Sequence, residues 1–176
     1  QYPCHTTEET IVGAVHEQLE EFHSRLYGGG SPATGYPKAQ AVFRMKLMMD
    51  TNICIYLIKH QPPSVLERFL SHPVDDIGIS SVTVAELEYG ASKSRHPTKN
   101  RIALGQFISP LDVAAFDRDA ATAYGRLRAT LEQKGTPIGA MDLLIAAHAL
   151  SLGVRLITNN AREFRRVPGI RIENWV

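Results

Sequence analysis

From Leu47 onward, short apolar segments alternate with amphipathic segments of helix length, and that alternation means a parallel sheet with helices on both faces. Leu47-Met48-Met49 reads as a buried strand ending at Asp50. Ile77-Gly78-Ile79, Leu111-Asp112-Val113 and Val154-Arg155-Leu156-Ile157-Thr158 read as three more, with Ile170-Arg171-Ile172 as a fifth. Between them the spacing predicts a helix through Ile53, Tyr56 and Leu57 that Pro62-Pro63 stops. Ser64-Val65-Leu66-Glu67 and Thr83-Val84-Ala85-Glu86 have the pattern of capping boxes opening two further helices, and Thr98 of a cap for a third. Tyr124, Leu127 and Leu131 mark a helix ended by Gly135, and Asp142 opens an apolar helix closed by Gly153. The fold class expected is α/β: a short parallel-stranded sheet between helices, an α/β/α sandwich.

Residues 1–44 do not share this pattern. They carry three basic and five acidic side chains, whereas 45–176 carry 16 and 13. Ile11, Val15, Leu19, Phe22 and Leu26 make one stripe of an amphipathic helix over about 7–27, and Gly28-Gly29-Gly30-Ser31-Pro32 begins a Gly/Pro-rich linker to about 38. The division expected is an extension, 1–44, and a main domain, 45–176. With 176 residues, 44% apolar and 21% charged, the chain has the composition of a globular protein with a sizeable core. No apolar run reaches the ~20 residues of a membrane span. Two cysteines, Cys4 and Cys54, make no disulfide framework and fit a reducing cytoplasm. Cys4, His5, His16 and His23 have no convincing zinc spacing.

In open α/β sheets, ligands sit beyond the carboxyl ends of the strands. Asp50 follows the first strand directly, Glu86 comes a few residues after the second, and Asn160 comes two residues after Thr158. Asp142 follows the loop Gly135-Thr136-Pro137-Ile138-Gly139. Two carboxylates ~5 Å apart repel by roughly 3 kcal/mol at an effective dielectric of 20, so such a group calls for a proton or a cation. Oxygen ligands without His or Cys favour Mg²⁺ or Mn²⁺, and such ions serve hydrolysis of phosphate esters. Each residue has a plain structural alternative. Asp50 and Asp142 could be N-caps, Glu86 a capping-box partner of Thr83, and Asn160 a turn residue.

Four blocks in order resemble a known family: Met49-Asp50-Thr51-Asn52, Ser80 to Gly90 (SSVTVAELEYG), Ile138 to Ala149 (IGAMDLLIAAHA) and Thr158 to Phe164 (TNNAREF). They look like PIN-domain ribonucleases, and most like the VapC toxins of bacterial toxin–antitoxin modules; the ending Val167 to Trp175 is similar too. The resemblance covers Met45–Val176. It implies a PIN domain and a Mg²⁺- or Mn²⁺-dependent endoribonuclease acting on tRNA or ribosomal RNA, with Asp50, Glu86 and Asp142 as acidic ligands. The fourth position is Asn160, and Glu163 is a further candidate ligand. Thr51 and Asn52 are expected to hydrogen-bond around the first carboxylate, with Thr158 doing the same from its strand end. It also implies a homodimer, no membrane, and a cognate VapB-like antitoxin whose tail enters the acidic site; by analogy the extension could self-inhibit through Arg25 or Arg44.

Phosphate contacts are expected from Arg162, Arg165, Arg166 and Arg171, which follow the Asn160 block. The run Lys93, Arg95, His96, Lys99 and Arg101 reads rather as a solvated face. Cys54 and His148 read as packing, and Trp175 as a C-terminal anchor. A haloacid-dehalogenase-like phosphatase would need a second aspartate where Asn52 stands. A receiver-like domain would need paired acids at the first strand and a phosphoacceptor on the third. A degenerate PIN domain acting only as an RNA- or protein-binding module is the remaining alternative.

Overall fold

Leu47–Met49 forms strand β1, and all three of its residues are buried. Alternation sends Leu47 and Met49 to one face of the sheet and Met48 to the other, so the strand needs cover on both. The fold comes from a computed structural model that describes residues 45–176. The helix expected at 7–27, its linker and the arginines Arg25 and Arg44 lie outside the described residues.

Parallel strands β2 (Ile77–Ser80) and β4 (Arg155–Ile157) flank β1, with β3 (Asp112–Ala114) and β5 (Ile172–Glu173) at the edges. The order is β3-β2-β1-β4-β5, every pair is parallel, and Met49 lies level with Ile79 and Ile157. After β1 the chain steps outward through β2 and β3, then crosses back to place β4 on the other side. The topological switch point therefore falls between β1 and β4, where such sheets open a crevice.

Two apolar layers cover the sheet. On one face Met49, Ile79 and Ile157 pack with Ile53 and Leu57 of α1 (Thr51–Lys59) and Val65 and Phe69 of α2 (Pro63–Leu70). Leu87 of α3 (Ser81–Ser92) and Leu104 of α4 (Pro97–Ile108) join them. On the other face Met48 and Leu156 meet Leu127 and Leu131 of α5 (Arg118–Gln133), Ile145 of α6 (Ala140–Leu152) and Phe164 of α7 (Ala161–Phe164). Cys54 is part of the first layer, where burial pushes its thiol well up. Trp175 is buried there too, with its indole N–H donating to Glu173 at 3.0 Å and its ring stacked on His72.

Most element positions follow the sequence pattern, and several helix starts do not. Pro63 begins α2 behind Pro62 with no side-chain cap, so Ser64 lies inside the helix; proline fits that first position because the N–H it lacks would have no helical partner. Ser80, not Thr83, caps α3, accepting from the Val82 N–H at 3.0 Å. Thr83 is buried within that helix, and its hydroxyl has no hydrogen-bond partner among the described residues. Helix α4 opens at Pro97 without a cap from Thr98. Asp117 caps α5 by accepting from two backbone N–H groups at 3.0 Å, a cap that the apolar periodicity does not reveal. Gly153 ends α6 as expected, at φ +66°, where a side chain would be strained.

Candidate metal centre

Asp50 directly follows β1 and caps α1, so one residue serves both the local and the functional reading. Its Oδ1 accepts from the Asn52 N–H at 2.5 Å, and its Oδ2 accepts from the Thr158 hydroxyl at the end of β4. Asp50 is 2% exposed. Burial raises its pKa, the Thr158 and Asn52 hydrogen bonds pull it down, and the charge of Glu86 pushes it up again.

From there a network crosses the switch point. The Thr158 hydroxyl also accepts from the Asn160 N–H at 2.9 Å, and the Asn160 side-chain amide donates to Asp142 Oδ2 at 3.1 Å. On the other side of Asp50, the Thr51 hydroxyl donates to Glu86 Oε2 at 2.5 Å. Asp50, Thr158, Asn160 and Asp142 are thus joined by hydrogen bonds, and Glu86 is tied to them through Thr51, the chain neighbour of Asp50, although these residues come from four separate parts of the chain. Asp142 is not the cap of α6; it is the third residue of a helix whose cap position is Gly139. Its pKa is raised to about 6, first by burial and then by the charges of Asp50, Glu86 and Glu163.

Three details differ from the sequence reading. Thr51 serves the second carboxylate rather than the first. Asn52 contributes its backbone, while its side chain is exposed. Arg166, expected to grip phosphate, donates to Glu163 at 3.1 Å and to the Pro137 carbonyl at 3.0 Å, bracing α7 against the loop before α6. Arg171 likewise donates to the Gly153 carbonyl, and all four arginines are exposed. In the other basic run, Lys93 lies over the Tyr89 ring and Arg101 faces Glu88 at 3.8 Å, an ordinary solvated face. Sequence reasoning missed the Asn159 amide, which donates to the Tyr56 hydroxyl at 2.6 Å and ties the β4 end to α1. An apolar groove of about 590 Å³ runs between α1, α3 and α4, lined by Ile55, Ile58, Leu87 and Leu104 with Glu86 in its wall.

The donor set consists of oxygens: three carboxylates with Glu163 nearby, mutually repelling and braced by hydroxyls and amides. That chemistry fits a hard divalent cation. Among the described residues, no three His, Cys, Asp or Glu side chains are drawn together closely enough to ligate one ion as they stand. Burial first, and then the neighbouring negative charges, raise the Asp142 carboxyl, and an ion bound there would relieve the charge repulsion.

Comparison with known proteins agrees with this architecture. The PIN domain family matches residues 47–170. The tRNA(fMet)-specific endonuclease VapC of Shigella flexneri is 49% identical over 131 residues, covering 74% of this chain and 98% of the relative. Ribonuclease VapC2 of Haemophilus influenzae is 45% identical over 132 residues, covering 75% and 99%. Among solved structures, DNA-bound VapBC from Salmonella typhimurium superposes with a TM-score of 0.72 at 48% identity, covering 75% of this chain and 99% of that one. VapBC2 from Rickettsia felis, bound to a promoter DNA fragment, gives 0.67 at 44%, covering 74% and 98%. A sheet of order β3-β2-β1-β4-β5, an acidic network at its switch point and identity of nearly one half to VapC ribonucleases lead to one assignment: this chain belongs to the PIN-domain family.

Proposed function

We propose that the chain is an endoribonuclease toxin of the VapC kind, dependent on Mg²⁺ or Mn²⁺ and restrained by a VapB-like antitoxin. The observation that carries this reading is that Asp50 and Asp142 are joined through Thr158 and Asn160 across the switch point, with Glu86 held by Thr51, the neighbour of Asp50 in the chain. Asp50, Glu86 and Asp142 would hold the ion, with Asn160 and Glu163 completing the set. Bound there, a divalent ion supplies Lewis acidity to a phosphodiester and to water. The chain's own residues do the orienting. Thr158 and the Asn52 N–H hold both oxygens of Asp50, Thr51 holds Glu86, and Asn160 holds Asp142. Without a cation, Asp142 retains a proton up to about pH 6. Exposed Arg162 and Arg165 supply positive charge for the RNA backbone near this edge.

A tRNA is the first substrate to test, because the Shigella flexneri relative is named a tRNA(fMet)-specific endonuclease. The apolar groove beside Glu86 is the seat we propose for the antitoxin chain. No described helix is long and apolar enough to cross a membrane, and the cytoplasm is the compartment this reading takes.

The test is to incubate the chain with total RNA and map new 5′ ends. Cleavage should stop in EDTA and return with excess Mn²⁺ or Mg²⁺. Binding without cutting under all these conditions would leave a non-catalytic RNA-binding module instead.

Thr158→Val keeps the shape of the side chain and removes the donor to Asp50. Mn²⁺ affinity measured by calorimetry should fall by roughly 10- to 100-fold, the usual effect of losing a group that orients a ligand. An unchanged affinity would remove Thr158 from the site.

A further inference from the structure

Ser80 and His148 are both fully buried, and no step of the reaction uses them. The Ser80 Oγ lies 2.8 Å from His148 Nδ1. Ser80 ends β2 and caps α3, the helix that carries Glu86; His148 lies on α6, the helix that carries Asp142. Because Ser80 Oγ already accepts from the Val82 N–H, its own proton is available to the imidazole. Beside the pair, the Phe116 ring meets the imidazole edge-on with centroids 5.4 Å apart, and the Phe116 N–H donates to Ser81 Oγ at 3.0 Å. His148 Nε2 meets no partner at full hydrogen-bond geometry among the described residues, although the Ala115 backbone and the Asp117 charge both act on the ring, so the contact with Ser80 is its one well-formed side-chain hydrogen bond.

We infer that the Ser80–His148 hydrogen bond is a strut that sets α3 against α6 and so fixes the separation of Glu86 from Asp142, making both positioning residues of the metal centre. The inference rests on the nuclease reading of that site. Each carboxylate lies six residues from the strut, about 9 Å of helix rise. A tilt of about ten degrees at the joint would therefore move one of them by roughly 1.5 Å, and displacements near 1 Å cost on the order of 10²-fold in rate. A buried polar pair is also a poor means of stabilising a helix contact, since well-packed apolar side chains do so without the desolvation cost. Its advantage is direction: a hydrogen bond specifies which atoms meet, where apolar packing leaves the helices free to slide.

The full chain carrying His148→Leu or His148→Asn separates these effects. Asn can present a polar atom near the place of Nδ1 and leaves a void; Leu fills the volume and has nothing to offer Ser80. Three quantities are read: Mn²⁺ affinity by calorimetry, kcat and KM on the cleaved RNA, and Tm. For His148→Leu we expect Mn²⁺ affinity down about tenfold and kcat down by up to 10²-fold with KM little changed. For His148→Asn we expect both within about threefold of wild type, although its Tm is the lower of the two. Should a His148 variant fail to fold, Ser80→Gly against Ser80→Thr gives the same contrast, because Gly is nearly as good a cap as Ser. Wild-type affinity and kcat in His148→Leu would overturn the inference, as would equal losses in both variants, which would make the role one of volume alone. A wild-type chain that binds Mn²⁺ without cutting RNA would instead defeat the nuclease reading, and the ranking of Mn²⁺ affinities would still decide this one.

Discussion

Asp142→Asn should cut RNA cleavage by on the order of 10³-fold and at the same time make the metal-free protein more stable at neutral pH. The two effects have one origin. Asp142 lies half-buried and is crowded by Asp50, Glu86 and Glu163, which raises its pKa to about 6 from 3.8. The folded chain therefore binds this proton more tightly than the unfolded chain does. Between pH 4 and 6 the native state holds more protons, so this group's favourable share of stability is fully present below about pH 4 and is lost as the pH rises through 6. Asparagine has no such dependence. Relative to wild type in EDTA, the variant should gain roughly 1–2 kcal/mol above pH 6, after allowing for solvent screening of a partly exposed group. Thermal unfolding at pH 4 and at pH 7.5, paired with initial cleavage rates in Mn²⁺, measures both. A variant that cuts at the wild-type rate would remove Asp142 from the chemistry. A Tm difference that does not change with pH would deny that burial and charge crowding raise this carboxyl.

Gly78→Val should cost about 3 kcal/mol, roughly 10 °C in Tm for a domain of this size. On propensity alone valine is the better strand residue, so the expected sign comes from packing. A Cβ at Gly78 would lie 2.0 Å from the Cε of Met45 and 2.6 Å from the backbone oxygen of Asp112. The methionine end can move, but the carbonyl cannot, because Gly78 and Asp112 are paired residues of β2 and β3. Relief would require shifting β3 or distorting β2 just before Ser80, the cap of the helix that bears Glu86. Thermal unfolding of Gly78→Ala and Gly78→Val decides the matter. A Tm equal to wild type for both would mean that the β2–β3 pair yields easily.

The alternation of short apolar runs with amphipathic ones was readable along the chain because burial on two faces imposes a local period. Asp50, Glu86, Asp142 and Asn160 could be singled out because the ends of parallel strands converge on one edge whatever their order. The order itself, β3-β2-β1-β4-β5 with the crevice beside Asp50, depends on which strands pair across long separations, and no local pattern encodes that. The same limit explains the misassigned caps. Ser80 and Thr83 are both capping residues by type, and the helix begins where β2 ends, at Ser80, whose hydroxyl accepts from the Val82 N–H and also meets the buried imidazole of His148. It also explains Thr51, whose hydroxyl reaches Glu86, 35 residues away, rather than the aspartate next to it. Local chemistry named the donors and acceptors of this site; the packing of helices on both faces of the sheet chose their partners, because a hydrogen bond depends on proximity in space and a residue pattern reports only proximity along the chain.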